Sequence, residues 1–381
     1  MPLSWQSMDV VVTGIGLASA LGDLDHSWKR LLSNQTGIGL YQPFLEIGPF
    51  PLGLMGKTPI NLEPLTRQVV IAALEDAELT PPLAECAVVV GSSRGNQAQW
   101  ERWTRTPPPL FTPSWLDTLP HAACVTAARL VGTRAQVLSP MAACATGLWA
   151  IAQAYQLIRS GHCQRVLAGA VEAPITPLTL TGFARMGALA RTGAYPFDRE
   201  REGLVLGEGG AVLVMESAAL AQARSAPIYG RILGCGLTAD GYHLSTPDPG
   251  TGMAIAAVKQ CLERSGIGAA AIDLIHAHGT ATQLNDRNEA TLIQTLFPQG
   301  VLLTSTKGAT GHTIGASGAL GVAFCLMALK HQLLPPCVGL KQPEWNLDFV
   351  RTLRSLPIQT ALCLSFGFGG QNAAIALGRG E

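Results

Sequence analysis

Short apolar runs rich in valine alternate along this chain with longer segments whose apolar positions recur at helical spacing. Residues 10–13, 87–90, 137–138, 166–168 and 211–215 predict strands, with helices over 65–79 and 146–158 between them. After about residue 225 the alternation starts again. It predicts strand 228–234, helix 253–265, strand 273–277, helix 285–296, strand 301–304, helix 316–333, and strands 361–365 and 373–377. Alternation of this kind predicts an α/β fold with mainly parallel sheets covered by helices. Both runs open on a strand and end in a glycine-bounded strand, which suggests a duplicated unit: residues 1–225 and residues 226–381. The run at 137–138 reads as a buried strand that hands over to the helix at 146. Residues 106–120 hold five prolines and two aromatics and read as an irregular excursion, a lid or a dimer arm.

Composition narrows the class. With 381 residues the chain exceeds one ordinary core, and 48% apolar against 14% charged residues suits a well-buried enzyme. Formal charge is zero, which gives no global attraction to nucleic acid or an anionic membrane, although Arg185, Arg191, Arg199 and Arg201 lie close in sequence. Nine irregularly spaced cysteines without a Cys-x-x-Cys pair argue against a disulfide framework or a zinc ribbon and for a reducing cytoplasm. The opening Met1 to Met8 lacks the basic and apolar regions of a secretory signal, and no stretch reaches the about 20 apolar residues that span a bilayer.

Chemistry concentrates in four glycine-bracketed segments, which fall where strands end, the usual place for a site in such sheets. Met-Ala-Ala-Cys-Ala-Thr-Gly places Cys144 at a helix start, where free N–H groups and the dipole are expected to lower a thiol pKa. His-Ala-His-Gly-Thr puts His278 on a turn after a strand. His276 shares its face, but two imidazoles without a third ligand argue weakly for metal, so His276 is expected to pack and His278 to catalyse. Lys-Gly-Ala-Thr-Gly-His supplies Lys307 and His312 without the residue order of a nucleotide-binding loop. Glu289 is the expected ion-pair partner of Lys307. Finally Phe-Gly-Phe-Gly-Gly can aim a backbone N–H at an oxyanion while Phe366 or Phe368 excludes water. A thiol, two histidines and an oxyanion loop together point to covalent acyl transfer.

These segments resemble the β-ketoacyl-acyl-carrier-protein synthases, the elongating condensing enzymes of the thiolase superfamily. The likeness runs from Val-Val-Val-Thr-Gly-Ile-Gly at 10–16, through Ala-Gly-Ala-Val-Glu at 168–172, the long Pro-Phe-Asp-Arg segment at 196–209 and Asp-Gly-Tyr-His at 240–243, to the Phe-Gly-Phe-Gly-Gly-Gln-Asn end. The resemblance implies a thiolase-like, duplicated αβαβα five-layered fold and a homodimer. It implies that Cys144 accepts the acyl group, that His278 and His312 hold the malonyl thioester and its enolate, and that Lys307 organises the pair with Glu289. The N–H groups of Cys144 and Phe368 would form the oxyanion hole, with Phe368 as gate and Phe366 in support. Arg94, Met141, Thr280 and Thr310 are expected in the substrate pocket. Substrates would arrive as acyl and malonyl thioesters on the phosphopantetheine of acyl carrier protein, with no cofactor, metal, nucleic acid or membrane insertion. The alternatives are a non-elongating subunit akin to a chain-length factor, and a cysteine hydrolase.

The chain also departs from that family. Ala135-Gln136 stand where relatives usually have Gly-Pro, Ala142 where they have Thr, and Pro140 is expected to remove a ladder donor from an internal strand. Arg94 follows Gly91-Ser92-Ser93 where relatives carry an apolar acyl-pocket residue, so it either points away or meets a short or polar substrate. The chain reads as shortened around 45–65 and 104–120. Acidic carrier helices are expected to dock on Arg185, Arg191 or Arg199.

Overall fold

The computed structural model describes residues 9–106 and 113–380. The opening octapeptide and residues 107–112 of the proline-rich run expected to form a lid or arm therefore lie outside the described residues. The main elements are β1 (Val10–Ser19), α1 (Leu62–Asp76), β2 (Cys86–Gly91), α2 (Ala122–Val131), β3 (Val137–Leu138), α3 (Thr146–Arg159), β4 (Arg165–Glu172) and β5 (Gly209–Ser217). They continue with β6 (Gly230–Ala239), α4 (Gly252–Ser265), β7 (Leu274–His276), α5 (Gln283–Leu296), β8 (Leu302–Thr304), α6 (Ser317–His331), β9 (Asp348–Phe349), β10 (Thr360–Gly367) and β11 (Gln371–Arg379).

These strands form one ladder in the order β9-β8-β7-β10-β11-β6-β1-β5-β4-β2-β3. Counting outward from the β6–β1 contact, each half follows the same rule: first strand, fifth, fourth, second, third, with β9 added at one edge. The duplication is thus carried by topology, without a visible sequence repeat.

Expectation and structure differ on direction. Parallel pairing is confined to the outer strands, β2 with β3 and β4, β7 with β8 and β10, and β8 with β9. The inner strands are antiparallel: β1 with β5 and β6, β6 with β11, and β10 with β11. The short connection from Gly367 to Gln371 explains one of these pairs, because only an antiparallel hairpin can close so tightly.

Three apolar clusters define the layers. One lies outside the first half-sheet under α1 and α2, and one outside the second under α4 and α5. The third joins α3 and α6 to both half-sheets. That is an αβαβα stack, with α3 and α6 as the middle layer. Helix α6 is buried almost all round, which is why its sequence is apolar on every face. With its preceding turn, the 18-residue segment 314–331 is long and apolar enough to qualify as a membrane span, but its burial between the sheets makes it a core helix.

Two local expectations are corrected. Strand β3 is exposed at the ladder edge, not buried. It also ends before Pro140, so that proline removes no ladder donor. Among the four clustered arginines, Arg185, Arg191 and Arg199 are exposed, but Arg201 is buried against Asp286, Glu344 and the Trp345 ring.

Candidate active site

Cys144 sits in the 3-10 turn Ala143–Ala145 that leads into α3, and is only 6% exposed. The turn is strained: Ala143 has a φ of 47°. Thr146 holds it by accepting from the Ala142 N–H at 2.9 Å and donating to the Ala143 carbonyl at 2.7 Å. The β10–β11 hairpin packs directly on this turn. A Cβ at Gly367 would stand 2.6 Å from the Ala142 oxygen and 3.1 Å from the Cys144 nitrogen, so only glycine permits that approach. The approach brings the Phe368 N–H to the Cys144 sulfur.

His278 follows β7 on a turn whose backbone is tied down by the carboxylate of Glu289 on α5. Glu289 accepts from His278 N at 2.6 Å and from Gly279 N at 2.7 Å. Lys307 Nζ donates to the His278 carbonyl and lies 3.4 Å from His278 Nδ1. Ser365, in β10, donates to the Cys144 carbonyl at 2.9 Å and also approaches His278 Nδ1 at 3.5 Å. With the Lys307 ammonium offered to Nδ1, that nitrogen accepts, and the proton of a neutral ring belongs on Nε2.

His312 is fixed from both ends. Its N–H donates to the Val205 carbonyl at 2.7 Å, its carbonyl accepts from Gly207 N at 3.0 Å, and its Nδ1 meets Ser317 Oγ at 2.8 Å. The two imidazoles stand edge to face, with ring centroids 5.4 Å apart and planes at 83°. Phe366 packs against the far edge of His278 at 5.9 Å. The Cys144 sulfur and one nitrogen from each histidine lie within 4.8 Å of one another. They face a cavity of about 320 Å³ whose wall includes Thr280, Phe366 and Phe368.

The electrostatics differ from the sequence expectation. Burial pushes the Cys144 thiol up to about 11, against the opposing pull of Lys307, the Phe368 N–H and Arg94. The dipole of a helix start does not overcome desolvation here. Burial and the nearby Lys307 charge pull both His278 and His312 well below the ordinary histidine range, so both are neutral at pH 7. Burial raises the Glu289 carboxyl and lowers the Lys307 ammonium. The resting site is therefore a thiol beside two neutral imidazoles. Alkylation of Cys144 by iodoacetamide should accelerate about tenfold per pH unit from pH 7 to 10, because only the thiolate reacts; a plateau near pH 8 would contradict the burial argument. A sulfur and two imidazole nitrogens can also ligate a soft divalent cation, but the Lys307 ammonium beside His278 repels a second positive charge.

Several expected site residues fall elsewhere. Met141 is 60% exposed and does not line the cavity, because the nucleophile turn faces it away. Thr310 is buried beside Gly53 and Gly207 and donates to the Gly311 carbonyl at 2.8 Å, a packing position. Arg94 is exposed and is not part of the cavity wall; its guanidinium lies 5.8 Å from the ring centroid of Phe183, which is. The expected Lys307–Glu289 ion pair is replaced by an indirect arrangement in which the two groups bond His278 from its carbonyl and N–H sides. His276 packs as expected, bonded to Thr306 Oγ1 at 3.0 Å. Ser365, Ser317 and Phe183 were not anticipated; Phe183 stacks on Phe368 at 6.0 Å. Ser365 heads the Phe-Gly-Phe motif, which was a usable signal; Ser317 and Phe183 left none.

Residues 62–221 match the family pattern described as the N-terminal domain of beta-ketoacyl synthase, and residues 229–341 match its C-terminal domain. The 3-oxoacyl-[acyl-carrier-protein] synthase 2 of Mycobacterium tuberculosis (strain ATCC 25618 / H37Rv) is 33% identical, over 97% of this chain and 97% of its own length. That of Vibrio cholerae serotype O1 is also 33% identical, over 97% of this chain and 99% of its own. Among solved structures, a chain in the AntDE:AntF complex superposes with a TM-score of 0.93 at 26% identity, covering 98% of this chain and 100% of that one. That complex holds a type II polyketide synthase acyl-carrier protein with its ketosynthase bound to the hexaketide. A beta-ketoacyl synthase from Burkholderia phymatum STM815 superposes at 0.89 with 24% identity, over 98% of this chain and all of its own, a likeness of fold.

Proposed function

The chain belongs to the β-ketoacyl synthase family, and from that premise we propose that Cys144, His278 and His312 carry out its decarboxylative Claisen condensation. The enzyme is an acyltransferase that joins an enzyme-bound acyl group to malonyl-acyl carrier protein and yields a 3-oxoacyl-acyl carrier protein. Its substrates come on carrier phosphopantetheine, so the chemistry calls for no separate cofactor. The alternative of a non-elongating partner subunit is not favoured.

The observation that carries the residue assignment is the meeting of sulfur and two imidazole nitrogens within 4.8 Å on one cavity wall. In the first half-reaction Cys144 Sγ attacks the acyl thioester carbonyl. The new C–S bond replaces the carrier C–S bond, and the cysteine proton ends on the departing carrier thiol. The N–H groups of Cys144 and Phe368 hold the oxyanion in passing. In the second, malonyl thioester sheds carbon dioxide, and the electron pair of that C–C bond becomes the enolate. Nε2–H of His278 and of His312 donate to the enolate oxygen. Because both rings are neutral, they stabilise charge without giving up a proton prematurely. The carbanion then attacks the acyl carbonyl, and Cys144 leaves as thiolate and takes up a proton.

The wider reading adds four parts. The halves divide near residue 225. The cavity mouth, beside exposed Arg185 and Met186, receives an acyl carrier protein. A second copy pairs at the exposed edge strand β3. The nine cysteines, all free, suit a cytoplasmic setting. A mass-resolved condensation assay with acyl and malonyl carrier proteins tests the function: a product two carbons longer supports it, and free acid released without malonyl consumption would point to a hydrolase instead.

A further inference from the structure

Glu172, the last residue of the Ala-Gly-Ala-Val-Glu motif, has no part in the mechanism above. It ends β4, is fully buried, and has no cation among its bonded partners. An unpaired carboxylate there must be compensated for its lost hydration. Five donors offset it: Ser92 Oγ at 2.7 Å, Ser93 N at 2.8 Å, Ser93 Oγ at 2.5 Å, Arg94 N at 3.0 Å and Gly315 N at 3.0 Å. Four come from the turn after β2; the fifth comes from the segment after His312.

That second segment is under strain. Ile314 has a φ of 41°, and it packs in the same apolar cluster as Cys144. Gly315 is pressed so closely that a Cβ would lie 2.5 Å from Glu172 Oε2 and 3.1 Å from the Ser93 Cβ. Two residues further on, Ser317 holds His312 Nδ1. One carboxylate therefore clamps the turn beside the nucleophile to the strained turn that sets the aim of His312.

We infer that Glu172 is a positioning residue for condensation, acting through the 92–94 turn and the 314–317 segment to hold His312 against Cys144. The inference rests on the roles proposed for those two residues. A displacement of about 1 Å at a reacting group is enough to cost on the order of a hundredfold in rate. The same carboxylate is also a negative charge near the thiol. It opposes Lys307 and Arg94 there, while the two neighbouring histidines are neutral. Removing it should therefore make Cys144 easier to ionise while making the enzyme slower, a combination that general loosening does not produce.

The test compares wild type, Glu172→Gln and Ser93→Ala as full-length enzymes. Wild-type condensation and acylation of Cys144, measured in the same assay, check the underlying reading independently. Glu172→Gln is expected to lower kcat for condensation by roughly 10- to 100-fold with KM for both thioesters within about twofold. Its alkylation-against-pH profile should move to lower pH. Ser93→Ala keeps the carboxylate and loses one of two donors from that residue, so it should fold and show a smaller kcat loss with an unmoved alkylation profile. Unchanged kcat in both variants overturns the inference. So does a kcat loss in Glu172→Gln without the alkylation shift, which marks a merely structural role. Should Glu172→Gln not fold, an unchanged kcat in Ser93→Ala overturns the inference, and a reduced one at unaltered KM and melting temperature upholds it.

Discussion

A Cys144→Ala enzyme takes up no acyl group from an acyl carrier protein and forms no 3-oxoacyl product, yet still releases carbon dioxide from malonyl thioester. The expectation follows from how the site is divided. On the proposed assignment the Cys144 sulfur forms the covalent bond to the acyl chain, and its loss leaves both imidazoles of the cavity wall in place. Ala143 and Ala145 already flank it, so alanine fits the strained turn without a new clash. The condensation rate should fall by roughly 10⁴-fold or more, as when the nucleophile of a covalent enzyme is removed. Intact-protein mass spectrometry reads the first part and product mass the second. Undiminished condensation would remove Cys144 from its role.

Replacing either histidine gives the complementary pattern. His278→Ala and His312→Ala each remove one donor from the enolate oxygen, and decarboxylation should fall by roughly 10²- to 10⁴-fold. Acylation of Cys144 should suffer far less, within about tenfold, because the Phe368 N–H and the thiol remain. The two losses are expected to be non-additive, since the rings act on one oxygen and lie edge to face. Stopped-time measurement of carbon dioxide release beside acyl-enzyme mass separates the steps. Equal retention of both steps would refute the assignment. Below the ordinary histidine range, protonation of these buried rings converts neutral donors into a pair of like charges next to Lys307, so decarboxylation should be lost on the acid side.

Much of this was legible in the residues. The strand and helix periods located nearly every element of the ladder, and the glycine-bracketed segments marked three side chains that prove to be neighbours, although Cys144 lies more than a hundred residues from either histidine along the chain. What stayed hidden depends on partners distant in sequence. Val137 and Leu138 look like core, but their apolar side chains lie exposed at a ladder edge, a matter of topology and not of pattern. The antiparallel centre escaped notice because strands buried on both faces read alike in either direction. Cys144 sits at a helix start as expected, yet its acidity is decided by burial under the β10–β11 hairpin. Glu289 and Lys307 were paired by charge alone, whereas the structure sends each to a different backbone group of His278. Glu172 offered only its identity; its five donors come from segments on either side of it in the fold.

The most direct check follows the acyl group itself. Wild-type enzyme is loaded from acyl carrier protein, digested, and mapped by peptide mass, then the intact loaded enzyme is chased with malonyl carrier protein. The acyl mass should reside on the peptide containing Cys144 and vanish during the chase, with an equal amount of 3-oxoacyl carrier two carbons longer appearing. Acyl mass on another residue, or a Cys144 adduct that persists while product forms, would contradict the account.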